Sequence, residues 1–168
     1  MTGEPIAQDE LLTLFEAARW APSSGNQQPW RMLYAHRETP SWPAFYEVLN
    51  PGNKTWCSNA AVLVVFISKT TNAEGRPIKT HSYDTGAAWA NFALQGTLRG
   101  LVVHGMAGFN HEQARALLQI PADFAVEAMA AVGRPGRKED LSESLQAREA
   151  PSSRRPLAET IMEGMFRG

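Results

Sequence analysis

Few side chains in this sequence can do covalent chemistry, and their spacing does not gather them. The four histidines, His36, His81, His104 and His111, are scattered and form no pair at helical i, i+4 spacing, so none reads as a metal ligand. Cys57 is the single cysteine. That excludes an internal disulfide framework and a multi-cysteine metal site, and a small, partly buried apolar role is expected for it. No Gly-x-Ser-x-Gly elbow is present, and Ser23-Ser24 has no identifiable base beside it. The carboxylates Asp84, Glu112 and Glu127 are spread along the chain, and Asp84 reads as a dipole or capping partner at a helix start. No catalytic side chain is expected. Such an inventory suits a protein whose cofactor carries the chemistry while the chain supplies orientation and electrostatics.

What the sequence does concentrate is a binding loop. The stretch Ala21-Pro22-Ser23-Ser24-Gly25-Asn26-Gln27-Gln28-Pro29-Trp30 packs small hydroxyls, side-chain amides and backbone N–H groups around two prolines. Read locally it is a helix-to-strand connection. Its donors and acceptors also suit the rim of a heterocycle laid against the backbone.

The elements that must position this loop follow from periodicity. Leu11, Leu12, Leu14, Phe15 and Ala18 predict a helix over about 7–21, with Asp9 and Glu10 at its positive end and Pro22 at its stop. A strand is expected over 30–36. A short helix follows Ser41 as N-cap, and Asn50-Pro51-Gly52-Asn53 is expected to be a turn. Residues 60–67 form a continuous apolar, largely β-branched run, the pattern of a central strand covered on both faces. A polar loop over 68–80 leads to a long helix over about 82–98, with Gly100 as its C′ residue. A strand over 101–105, a helix over 111–118 and a strand over 124–132 complete the folded part. From Arg134 to Arg155 charged and small polar residues dominate, which predicts an extended surface arm. The apolar residues of 156–166 suit a short docked helix at its end.

At 168 residues the chain is expected to form a single domain. A formal net charge of −1 supplies no basic field for nucleic acid. The longest apolar run, 60–67, is far short of the ~20 residues that a membrane span needs. The start, Met1-Thr2-Gly3-Glu4-Pro5, has neither a basic nor an apolar leader region, so cytoplasmic residence is expected. Helices and strands interleave without a βαβ rhythm, and no strand enters a G-x-G-x-x-G turn, which disfavours a dinucleotide-binding Rossmann unit.

The loop at 21–30 closely resembles the A-P-S-x-x-N-x-Q-P-W signature of the FMN-dependent nitroreductase family. Later pieces agree in order: Asn53-Lys54-Thr55-Trp56 before the buried strand, Asp84-x-Gly86 with Asn91 in the long helix, Gly100-Leu101, Met106-Ala107-Gly108-Phe109-Asn110, Gly133-Arg134-Pro135 and Arg154-Arg155-Pro156. The resemblance implies an α+β fold, with a central mixed or antiparallel sheet flanked by helices, in an intertwined homodimer. It implies FMN at the dimer interface and an arm over 134–168 wrapping the partner subunit. Pro22, Ser23, Ser24 and Asn26 would line the isoalloxazine from one side, and Asn53 would bond the ring or ribityl region. The backbone of Ala107 and Gly108 would sit near flavin N5, and Arg154 with Arg155 would meet the phosphate, where planar guanidinium offers bidentate donors.

The implied activity is ping-pong oxidoreduction, from NAD(P)H through FMN to a small planar acceptor such as a nitroaromatic or quinone. A flavin-binding or sensory protein with little turnover is the alternative. One departure stands out. Family members carry an Arg-Arg-Ser-x-Arg segment before the first helix, where this sequence has Met1-Thr2-Gly3-Glu4-Pro5, and position 56 is Trp where some members are basic. Loss of a charge-assisted phosphate contact costs ~1.5–3 kcal/mol, so weaker FMN binding is expected.

Overall fold

The computed structural model describes residues 1–166. Contacts divide the chain into two compact units, Met1–Arg137 and the segment from Lys138 onward. In the first unit the order is α1 (Gln8–Arg19), β1 (Trp30–His36), α2 (Trp42–Glu47), α3 (Pro51–Cys57), β2 (Val62–Lys69), α4 (His81–Leu98), β3 (Val102–Met106), α5 (His111–Leu117) and β4 (Phe124–Gly133). The fold is α+β. Of the two sheet types left open by the sequence, the antiparallel one is found: four strands in the order β1-β2-β4-β3, every pairing antiparallel.

Strand alternation explains the layering. Val62, Val64 and Phe66 of β2 point to a core shared with Leu11, Leu14 and Ala18 of α1 and with Ala88 and Phe92 of α4. Leu63, Val65 and Ile67 point the other way, to Phe45 of α2, Cys57 of α3 and Ala114 of α5. β2 is buried along nearly its whole length, as its unbroken apolar run predicts for a strand covered on both faces. The helix pair on the first face is fastened by polar and aromatic contacts as well. Asn91 Nδ2 donates to the Ala17 carbonyl at 3.2 Å, and Phe15 lies 5.2 Å from Phe92, centroid to centroid.

α4 ends as its sequence dictates. Gly100 takes φ +71°, its N–H reaches the Thr97 carbonyl, and the Leu101 N–H reaches the Gly96 carbonyl at 2.9 Å. This paired closure needs a left-handed residue at that position, which glycine adopts without a Cβ penalty.

Two expectations are corrected. Asn50-Pro51-Gly52-Asn53 is not a free turn but the start of α3: Asn50 is extended, Pro51 takes the first helical position, and the N–H groups of Asn53 and Lys54 both return to the Asn50 carbonyl. Proline at N1 is as much a helix opening as a turn former. Residues 156–166 do not form a helix. They contain one 3-10 turn, Leu157–Glu159, and Leu157, Ile161, Met165 and Phe166 stand exposed. The second unit otherwise holds a 3-10 turn at Lys138–Asp140 and α6 (Glu143–Gln146). The expected arm over 134–168 thus begins inside the first unit, where Arg134 binds Glu10 at 2.6 Å, and its last two residues lie outside the described ones.

Cys57 is fully buried, and burial pushes its thiol up to about 12. At pH 8 roughly one thiol in ten thousand is then ionised, and only the thiolate is nucleophilic. Alkylation at that pH is expected to wait for unfolding. Timing thiol labelling against loss of far-UV ellipticity in denaturant checks this; fast labelling of the native protein would contradict it.

Candidate functional site

The loop between α1 and β1 is held from outside itself. Its carboxyl-terminal end is fixed where β1 begins: Trp30 pairs with Ser68, and the Lys69 N–H donates to the Pro29 carbonyl at 2.8 Å. Its middle is fixed by α4, because the Ser24 N–H donates to Asp84 Oδ2 at 3.2 Å. That carboxylate is almost wholly buried and also accepts from Thr80 Oγ1 at 2.9 Å. Inside the loop the Ser23 hydroxyl accepts from the Gln28 N–H at 3.0 Å, and the Ser23 carbonyl accepts from the Asn26 N–H.

These anchors hold an unusual backbone. Gly25, Asn26 and Gln28 all have positive φ, at 54°, 53° and 47°. A left-handed glutamine costs energy, and such residues persist where surrounding contacts over-determine them, commonly at ligand sites. The result is a rigid surface on which Pro22, Ser24 and Asn26 are exposed. Among the described residues the Ser24 hydroxyl and the Asn26 side-chain amide have no recorded protein partner.

A second cluster forms at the far edge of the same sheet end. Asn53 Nδ2 donates to the Gly108 carbonyl at 2.8 Å, and the Asn50 N–H donates to the same oxygen at 3.0 Å. The approach is close: a Cβ at 108 would meet Asn53 Nδ2 at 2.8 Å and push that amide aside. The Phe109 N–H turns back to the Ala107 carbonyl, while among the described residues neither the Ala107 nor the Gly108 N–H donates to a protein acceptor. Two successive backbone donors are left outward-facing in hydrogen-bonding terms, beside the Asn53 amide.

The seven residues assigned to the first unit therefore fall into two groups: Pro22, Ser23, Ser24 and Asn26 at the β1 edge, and Asn53, Ala107 and Gly108 at the β3 edge. β1 and β3 are the outer strands of the four, about 14 Å apart at ordinary strand spacing. Arg154 and Arg155 belong to the second unit, where Arg154 Nη1 bonds the Ser152 hydroxyl at 2.7 Å and the carbonyls of Ser152 and Ser153. Sequence reasoning missed Asp84 as the loop's anchor. It recognised the residue at a helix start, but the partner is 60 positions away and no local spacing announces it.

A cleft of about 530 Å³ adjoins the loop, lined among others by Gln28, Arg31, Lys69, Asn72 and Asp123. The segment after β2 that closes it is ordered around Asn72, whose Oδ1 accepts from the N–H groups of Glu74 and Arg76. Lys69 is committed to Asp123, which holds that carboxyl below the usual carboxylate range. Arg31 bonds the Gln28 and Trp30 carbonyls through Nη1.

With this geometry in place, the chain's likenesses can be read. Residues 2–40, which contain α1 and the loop, match the model of the nitroreductase family. A solved structure of an FMN-containing oxidoreductase is 44% identical, covers 99% of this chain and 86% of its own, and superposes with a TM-score of 0.95. A protein assigned as a nitroreductase from Desulfovibrio desulfuricans, solved in complex with FMN, is 27% identical over 98% of this chain and 88% of that one, with a TM-score of 0.73. A protein of Archaeoglobus fulgidus assigned as an NADH dehydrogenase/NAD(P)H nitroreductase is 25% identical over 83% of this chain and 80% of its own length. The chain belongs to the nitroreductase family.

Among the described residues no helix is long and apolar enough to cross a membrane.

Proposed function

We propose that this protein is a homodimeric FMN-dependent oxidoreductase of the cytoplasm, taking reducing equivalents from NAD(P)H and passing them to a small planar acceptor such as a nitroaromatic or quinone. The observation that carries the reading is the pair of unengaged N–H groups at Ala107 and Gly108 beside the Asn53 amide, together with a rigid loop offering Ser24 and Asn26. Bound FMN would supply the two-electron chemistry. The chain's own residues bind and orient it: Pro22, Ser23, Ser24 and Asn26 against one side of the ring, Asn53 at its polar rim, and the Ala107–Gly108 backbone donors toward N5. Arg154 and Arg155 would reach the phosphate, where guanidinium is the suited partner.

The same arrangement supports a dimer. About 14 Å across the sheet separates the two clusters within one protomer. Two copies bring the loop of one chain to the Asn53–Gly108 corner of the other, and the arm over 134–168 wraps the neighbour. The outward face of α4 supports an apolar contact of this kind, since Tyr83, Leu94 and Leu98 are all more than 60% exposed. A groove of about 470 Å³ beside it, lined by Leu12, Glu16, Trp20 and Gln95, adds to that surface. Acceptors would approach through the cleft between the loop and the segment after β2.

Titrating the purified protein with FMN tests the reading. Saturable quenching of flavin fluorescence is expected, followed by anaerobic bleaching of the visible flavin band on addition of NAD(P)H. No saturable binding at generous FMN would sink the proposal, and binding without bleaching would leave a flavin-binding protein that does not use this reductant.

A further inference from the structure

We infer that Glu127 is a positioning residue for the flavin-facing loop: a bulge in β4 aims its carboxylate at Ser68, Ser82 and His81, and this clamp sets the first turn of α4, from which Asp84 holds Ser24. The functional consequence rests on the flavin reading above; the mechanical one rests on the clamp alone.

The bulge is visible in the register. Phe66 pairs with Ala128, whereas the next residue of β2, Ile67, pairs with Val126, so Glu127 is the extra residue. Its neighbours show what the insertion does. Met129 and Ala131 face the layer of α2, α3 and α5, and by simple alternation Glu127 would point into that apolar layer too. On the other side of the bulge it is Val126 that packs there, and Glu127 is turned to the α4 face. Re-aiming a side chain by one inserted residue is a recurrent use of bulges beside functional sites.

One oxygen of the carboxylate, Oε1, meets three partners. Ser68, fully buried, donates its hydroxyl to Glu127 Oε1, and Ser82 donates to the same oxygen at 2.7 Å. A serine has a single hydroxyl proton, so both serines can only accept from the imidazole. His81 Nδ1 lies 2.7 Å from Ser68 Oγ, 3.2 Å from Ser82 Oγ and 3.3 Å from Glu127 Oε1. Nδ1 must therefore carry the proton, and the ring is locked in one orientation with one tautomer at that nitrogen.

The clamp joins three elements at the foot of the loop. Ser68 is the register partner of Trp30, the residue with which the loop enters β1. His81 and Ser82 are the first two residues of α4, and Asp84 lies three positions beyond His81 in the same helix. Fixing the start of α4 against β2 and β4 thus fixes the carboxylate that receives the Ser24 N–H.

Three variants of the full chain decide the matter: Glu127→Ala, Glu127→Gln and Ser68→Ala. Amide hydrogen exchange of residues 21–30, measured without FMN, is expected to be about tenfold faster in Glu127→Ala, with β3 unchanged. Glu127→Gln keeps an acceptor oxygen for both serines and is expected to stay close to the parent. Ser68→Ala should move in the same direction as Glu127→Ala, and serves where that variant fails to fold. Nitrogen-15 spectra should place the His81 proton on Nδ1 in the parent and not in Glu127→Ala. FMN affinity is expected to fall about tenfold in Glu127→Ala and to be largely restored in Glu127→Gln. Unchanged exchange over 21–30 in a folded Glu127→Ala or Ser68→Ala protein overturns the clamp. A parent protein that binds no FMN overturns the flavin reading instead, and the exchange comparison still judges the clamp.

Discussion

Replacing Asp84 by alanine is expected to weaken FMN binding by one to two decades while leaving the chain folded. The buried carboxylate receives the Ser24 N–H and the Thr80 hydroxyl on one oxygen. Hydrogen bonds to a charged group contribute ~1.5–3 kcal/mol each in net terms, so their loss removes the restraint that keeps the strained turn over 25–28 in place. Ser24 is exposed and its N–H can turn to water, which is why the damage should appear as loop freedom more than as unfolding. Asp84→Asn keeps an acceptor without the charge, and a loss about half as large on the free-energy scale is expected. Fluorescence titration with FMN, beside a thermal melt of each variant, checks both. Equal affinity in Asp84→Ala and the parent would show that the loop holds its shape unaided.

The largest stability loss is expected at Phe92→Ala. The ring is fully buried at the meeting of α4 with the sheet, in contact with Phe15 and, edge-on at 5.4 Å, with Phe66. Removing a buried phenyl costs ~3–5 kcal/mol, because the lost transfer energy is joined by a cavity that neighbours only partly fill. For a domain of this size that lowers Tm by on the order of 10 °C. Both values can be read from chemical and thermal denaturation of the variant. A loss below about 1 kcal/mol would mean that Phe15 and Phe66 close over the gap, against the usual stiffness of a packed core.

The parts of the fold that the sequence announces are those in which a single physical signal dominates. The apolar stripe of α1, the unbroken run of β2 and the Gly100 stop of α4 each depend on neighbours in sequence, and each lies where periodicity or conformational preference places it. α3 is ambiguous in sequence because Pro51 and Gly52 serve a turn as readily as a helix start; the packing of Cys57 beneath the sheet decides between them. The apolar residues of 156–166 suit a helix, but helix formation in so short a piece needs a surface to bury against, and its own chain covers few of those side chains. At the candidate site, the loop stands out in the sequence because its chemistry is contiguous. The residues that position it do not: Asp84, Glu127 and His81 look unrelated when read in order, and only the sheet register, shifted by one bulged residue, makes neighbours of Ser68 and Glu127.

The way the 21–30 loop is held also bears on when it can work. Its restraints come from Lys69 and Asp84, which leave the ribosome roughly 40–60 residues after it does. Closing such long chain segments precedes any reward from the contacts they make, so native pairings of this separation form late in folding. A newly made chain carries the whole A-P-S-S-G-N-Q-Q-P-W string well before that string has a shape. Any ligand capture by this loop would therefore be a property of the assembled sheet and α4, and no peptide cut from this stretch should show it.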